Sequence, residues 1–268
     1  MKAPFLLVTG GKGGVGKTTV AANLGVALGG LGVNPWLMDL DFGLANLDLM
    51  LGVTPLQTLA GFFDGEVDLK DCGFCGPGGT QLLSGGSGSY ERRSLNAEQR
   101  SRLKHALAGL PAGIVVGDSP AGIGDDVLDF ALQAQRVLVV TTPEPAAVTD
   151  AYGVIKAIDA FAAERGLEVP TPEVFVNLAR DASEAQSIAK KLSGICERFL
   201  ARSPRFVGWM PRSRAVQRAI LKKEAFLLSA PDTPASRNLI RLARRYATQN
   251  EFLHPEVSSP KALLSHDR

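Results

Sequence analysis

The 268-residue chain reads as an α/β protein built on a doubly wound, mostly parallel sheet with helices on both faces. Three observations predict this. Apolar strand-like runs alternate with helix-like stretches nearly to the end of the chain, the pattern that parallel strands joined by crossover helices produce. Several runs, such as Gly113 to Asp118, are continuously apolar, as strands covered on both faces are. The first run leads directly into a glycine-rich loop that opens a helix.

Taken in order, Phe5 to Thr9 is the first strand, followed by the loop and a helix with the good formers Ala21, Ala22, Leu24, Ala27 and Leu28. Pro35 to Asp39 is a short apolar strand ending in carboxylates. Gln81 to Leu83 is a weaker strand signal between Gly76-Pro77-Gly78-Gly79 and Gly85-Gly86-Ser87-Gly88. Those glycines lack a following Lys-Ser/Thr and read as turns. Asn96 to Leu110 is helical, with Leu103, Leu107 and Leu110 on one face. Then come the strand Gly113 to Asp118, a helix over Asp125 to Ala134, a strand over Val137 to Thr142 and a long helix from Ala146 to Arg165. Glu173 to Asn177 is a strand, Ala182 to Leu200 a helix and Phe206 to Met210 a strand. Helices near Ala215 to Leu221 and Pro234 to Gln249 follow. With no repeat and no interior linker, residues 1–253 read as one domain and 254–268, with Pro255, Pro260 and serines, as a polar tail.

Hydrophobic residues at 45% and charged residues at 21% supply a full core, and a net charge of +2 dictates no partner. The charge is uneven: residues 181–250 carry 14 Lys/Arg against 5 Asp/Glu. No stretch has the roughly 18–20 uncharged apolar residues that span a bilayer. Phe5 to Val8 runs straight into the loop, leaving no secretory signal, and three cysteines make no disulfide framework. A cytoplasmic protein is expected.

Gly11-x4-Gly16-Lys17-Thr18 is a phosphate-binding loop in its proper setting, between a strand and a helix. Its glycines let successive N–H groups converge on an anion, and the helix N-terminus adds unpaired donors and partial positive charge. Gly11, Lys12, Gly13, Gly14, Val15, Gly16, Lys17, Thr18 and Thr19 are the expected nucleotide cradle. Lys17 should reach the β- and γ-phosphates, and the Thr18 hydroxyl should hold Mg²⁺. The metal and an attacking water need acids at neighbouring strand ends. Asp39 and Asp41, two apart, share a face of an extended chain, and Asp118 ends an apolar strand. A strand-end Asp alone is more often a cap or turn residue; the phosphate loop is what makes these site candidates.

Lys12, inside the loop, gives Lys12-Gly-Gly-Val-Gly-Lys17-Thr18. This resembles the deviant Walker A loop of the MinD/ParA ATPases, in which an early signature lysine marks the class. The resemblance implies a homodimer sandwiching two ATP molecules, with Lys12 crossing to the partner's phosphates. It implies that Asp118 holds Mg²⁺ through water, Asp39 supports the metal shell and Asp41 orients the attacking water. It implies too that Asn177 contacts adenine and that the segment containing Pro211 completes the base pocket. Ala45 to Gly52 and Thr142 to Tyr152 are similar to MinD and to the flagellar-number ATPases of the FlhG (YlxH, FleN) type. Gly76 to Gly79, Leu82 to Gly88 and Ala230 to Ser236 fit the flagellar group better, and the likeness extends over about residues 3–248.

Membership implies a slow switch that hydrolyses ATP to ADP and phosphate and controls the placement or number of a cellular structure, most directly flagella. Implied partners are the flagellar signal-recognition-type GTPase FlhF or another flagellar regulator. Two departures stand out. The first strand starts at residue 5, where members carry a polar extension that stimulates FlhF. Members also end in a membrane-targeting helix, whereas here the last amphipathic stretch precedes a polar tail. That stretch has Leu239, Leu242, Ala243 and Tyr246 on one face and Arg237, Arg241, Arg244 and Arg245 opposite. It either packs on the domain or makes a weak, dimer-dependent membrane-surface contact.

Rival readings are a MinD-like division-site regulator and a ParA-like DNA- or cargo-partition ATPase. In the second, the basic C-terminal quarter would hold nucleic-acid phosphates, but no aromatic residues interleave it. Cys72-x2-Cys75 suggests an iron–sulfur carrier, although one such pair supplies only two of four ligands. A metabolic ligase would need a substrate domain that the sequence does not add.

Overall fold

The computed structural model describes residues 3–86 and 94–248. Eight strands form one sheet: β1 (Phe5–Thr9), β2 (Pro35–Asp39), β3 (Phe74–Cys75), β4 (Gln81–Leu83), β5 (Ile114–Asp118), β6 (Arg136–Thr141), β7 (Glu173–Ala179) and β8 (Arg205–Pro211). Their order is β3-β4-β2-β5-β1-β6-β7-β8, with every pair parallel except β3 and β4. The predicted α/β class is the observed one. Alternate strand residues feed opposite layers. Phe5 and Leu7 join one core with Met38, Val115 and Val139, while Leu6 and Val8 join the other with Leu37, Val116 and Val140. This double covering is why the strand runs are apolar without alternation.

Ten α-helices lie among the described residues. Helix α1 (Lys17–Gly30) is buried on nearly all sides. α4 (Ala97–Leu107) starts at a capping box between Asn96 and Gln99 and stops three residues short of the expectation. Leu110 is buried beyond its end. α5 (Asp125–Gln133), α6 (Pro145–Ala163), α7 (Ala182–Leu200) and α8 (Arg214–Leu221) fall within two residues of their predicted bounds. Three short helices carry too few residues for a periodicity to show: α2 (Leu47–Leu51), α3 (Leu59–Asp64) and α9 (Phe226–Ser229).

α10 (Pro234–Ala247) settles how the last amphipathic stretch packs. Leu239, Leu242, Ala243 and Tyr246 are fully or almost fully buried, in the core that α1 shares. The Tyr246 hydroxyl donates to Glu173 Oε2 at 2.6 Å, and Glu173 also takes Arg136 at 2.8 Å and Arg205. This apolar face is therefore core. Gln249, the 254–268 tail, and Ser87 and Gly88 of the second glycine segment lie outside the described residues. Among those described, no helix is long and apolar enough to cross a membrane.

Strand order also positions the site. The chain leaves β1 toward β2 on one side, and later crosses from β5 to β6 on the other. A crevice at the carboxyl ends of strands is expected at such a switch point. Register places Val8 and Asp39 level with Asp118, so the loop and two carboxylates emerge at one edge.

Candidate nucleotide site

The loop runs from Gly10 to Gly16, between β1 and α1. Gly16 caps α1 at φ 91°, a left-handed conformation that a side chain disfavours. No side chain occupies the helix N-terminus and the first turn holds no acid, so its donors and positive end face the crevice. Gly11 packs so closely on the Asp150 carbonyl of α6 that a Cβ there would collide with it.

The two lysines part company. Lys17 is buried, and its Nζ donates to the Lys12 carbonyl at 3.3 Å, folding back over the loop. Burial lowers its pKa, with Asp118 and Asp41 pulling the other way. Lys12 instead reaches out to Glu144 Oε2 at 2.8 Å, between β6 and α6, with both side chains substantially exposed. That pairing raises the Lys12 pKa and lowers that of Glu144.

The three aspartates gather beside Lys17 and Thr18. Asp39 is buried and organises the chain that follows it. Its Oδ1 accepts from the Asp41 N–H at 3.0 Å, and its Oδ2 from the N–H groups of Asn46 at 2.8 Å and Leu47 at 2.9 Å. Both oxygens thus shape the turn into α2. Burial raises its pKa to about 6 against those bonds. Asp41 is half-buried, accepts from the Leu44 N–H at 3.0 Å, and lies close enough to act electrostatically on Lys17 and Asp118. Asp118 is buried, with a pKa raised to about 8 by desolvation first and by Asp39 second, while a Thr18 hydrogen bond and Lys17 lower it.

The Asp118 Oδ1 atom is buried without a hydrogen-bond partner. An orphaned carboxylate oxygen beside a threonine hydroxyl suits a hard cation, and Mg²⁺ characteristically uses one or two carboxylates plus water and phosphate oxygens. No ready-made cage of three His, Cys, Asp or Glu side chains occurs among the described residues, and this type of ligation needs none. Cys72 is buried with its Sγ on the Thr58 and Asp68 carbonyls, whereas Cys75 is exposed beside Gln81.

A cleft of 470 Å³ that includes Glu144, the partner of Lys12, is lined by Thr142, Pro143, Glu144, Leu178, Ala179, Arg180, Glu184 and Arg212. Pro211 is at its border, paired with Ala179 across β7 and β8. Asn177 is 3% exposed and bonds the loop, its Nδ2 donating to the Val15 carbonyl at 2.8 Å. Sequence reasoning did not single out Glu144, Arg180, Glu184 or Arg212. Glu144 lay in a segment already noted, but its pairing with Lys12 spans 132 positions.

A glycine loop at a helix N-terminus, closed by a lysine and faced by aspartates on adjacent strand ends, defines a P-loop nucleotide-binding protein. The family model for the CobQ/CobB/MinD/ParA nucleotide binding domain matches residues 6–226, and the chain belongs to that family. Antiactivator FleN of Pseudomonas aeruginosa is 38% identical over 97% of this chain and 90% of its own length. The flagellum site-determining protein YlxH of Helicobacter pylori is 27% identical over 89% of this chain and 80% of its own. The fold matches that of MinD from Pyrococcus horikoshii, solved with Mg-ADP, with a TM-score of 0.71, 22% identity and coverage of 92% and 96% of the two chains.

Proposed function

We propose that the protein is an ATP-dependent dimerising switch of the FleN/YlxH type, which hydrolyses ATP to ADP and phosphate and sets flagellar placement or number. One observation carries the reading: Lys17 already sits over its own loop, while Lys12 is directed outward to an exposed ion pair. A second cation on the outer side of the loop is what a partner subunit's phosphates would meet. The 38% likeness to FleN along nearly the whole chain favours flagella over division or cargo placement.

In this reading the loop amides and Lys17 bind the phosphates, Thr18 and Asp118 hold Mg²⁺, and Asp41 orients the water. Bound Mg²⁺ supplies charge neutralisation on the β- and γ-phosphate oxygens. Asp39 acts by holding Asn46 and Leu47, and with them the turn that carries Asp41. The base lies in the cleft bordered by Pro211. Partners are a second copy of the chain and a flagellar regulator. With the α10 apolar face in the core, that face is not available to insert into a membrane surface. Part of the basic quarter is neutralised internally, Arg205 on Glu173 and Arg202 on Asp159, which weakens the nucleic-acid reading.

Phosphate release at saturating ATP tests the assignment. Asp41→Ala should reduce turnover at least tenfold and accumulate the ATP-bound dimer; turnover at the parental rate would refute the water-orienting role.

A further inference from the structure

A second cleft of 470 Å³ flanks the phosphate loop, with Gly16, Thr18 and Thr19 on one wall and Leu49, Ile220 and Lys223 on the other. It shares no lining residue with the cleft that includes Glu144. Lys223 also lines a 400 Å³ cleft between the ends of α2 and α9, together with Leu51, Pro77 and Leu228. The two clefts meet at Lys223 and make one groove from the loop, past α2, to α9. Its floor is a close contact: Gly52 ends α2 at φ 66°, so near the Lys223 carbonyl that a Cβ there would collide with it.

The chemistry around this groove is apolar and cationic at once. Leu221 is 84% exposed, Leu228 55% and Leu49 47%, a concentration of large apolar side chains that marks a contact surface. Arg214, Arg218, Lys222 and Lys223 are exposed along α8 and the turn after it. The only acid in residues 214–229 is Glu224, and none of the four cations forms an ion pair among the described residues. Lys223 holds its place at φ 56°, a left-handed conformation that favours glycine, in the wall of both clefts. We infer that the groove is a docking site for an acidic amphipathic helix of a partner protein. Apolar side chains of that helix enter the clefts, and its carboxylates meet Lys222, Lys223 and the α8 arginines. The inference goes beyond the switch reading and rests on it for one feature, a link to ATP. Gly16, Thr18 and Thr19 belong to the groove and to the loop, so helix and nucleotide change each other's affinity by the same factor. A membrane surface has similar chemistry but is flat, whereas these apolar side chains border concave clefts.

The probe is a fluorescein-labelled peptide of about 18 residues, with leucine at helical spacing and glutamate elsewhere, titrated against the full chain by anisotropy. The nucleotide-free parent should bind it with a Kd below about 100 μM, more weakly in about 300 mM salt. It should not bind the same peptide with lysine in place of glutamate. Leu221→Glu combined with Leu228→Glu should weaken binding by roughly tenfold or more, because carboxylates then face carboxylates. Lys223→Gly removes the cation where the backbone suits glycine, and should weaken binding about threefold. Filling the loop with MANT-ATP should change the peptide affinity by about threefold or more. No saturable binding of the acidic peptide, equal binding of both peptides, or indifference to these substitutions would overturn the inference. So would flotation of the parent with phosphatidylglycerol vesicles that the double variant loses, or loss of the ATP-dependent dimer in that variant, since lipid or a second copy would then fill the groove. Peptide affinity unmoved by bound MANT-ATP would overturn the link to ATP. A parental chain that does not bind MANT-ATP would instead overturn the switch reading itself.

Discussion

Single side chains carry opposite duties at the loop. Lys17 closes over its own backbone and Lys12 faces outward, so their removal should have different consequences. Lys17→Ala should abolish binding of fluorescent ATP analogues, whereas Lys12→Ala should retain much of that binding yet lose ATP-dependent self-association in light scattering. Equal loss of nucleotide affinity in both variants would contradict the division of labour. Asp118 supports a second test, because its raised pKa makes the folded protein hold a proton that the unfolded chain releases. Burial, with Asp39 next, lifts the carboxyl from an ordinary 3.8 to about 8. The nucleotide- and metal-free fold therefore loses stability from this group as pH climbs through that interval. Asp118→Asn should be increasingly more stable than the parent between about pH 4 and pH 8, reaching a few kcal/mol in urea melts under chelator. A stability difference independent of pH would show that Asp118 ionises normally in the fold.

At the scale of elements, sequence was most informative where local chemistry dictates conformation. Continuous apolar runs identified the central strands, and the glycine loop announced both its fold and its ligand before any contact was known. Much of the candidate site arises instead from pairings remote in sequence. No local pattern predicts that Asp39 and Asp118 become level on adjacent strands, or that Asn177 bonds Val15 across 162 positions. Short helices such as α2 escaped because five residues cannot display a 3.6-residue period. The amphipathic α10 was ambiguous on its own, since a core-facing helix and a membrane-lying helix share one pattern; packing on α1 and β8 decides it. Its tie to the sheet is Tyr246 on the buried Glu173, which also holds Arg136 and Arg205. Tyr246→Phe should lower unfolding free energy by about 1–2 kcal/mol in denaturant titrations without a changed m value. An unaltered midpoint would mean the hydroxyl contributes nothing to holding α10.

For the whole molecule, the arrangement is one sheet with its candidate site collected at one edge. The loop, Lys12, the Asp39-held turn and the cleft all open on that edge, so in the proposed reading a second copy applied there would meet all of them at once. Occupancy can then be reported as a change in surface, which suits a regulator better than a metabolic catalyst. The central claim is that ATP joins two chains through Lys12. Light-scattering mass after size exclusion, with saturating Mg²⁺ and a non-hydrolysable ATP analogue, tests it most directly. The parental chain should run at twice its 28.3 kDa mass and Lys12→Ala at that mass. A parental chain that remains monomeric while its sites are filled, or a Lys12→Ala variant that dimerises as the parent does, would contradict the account.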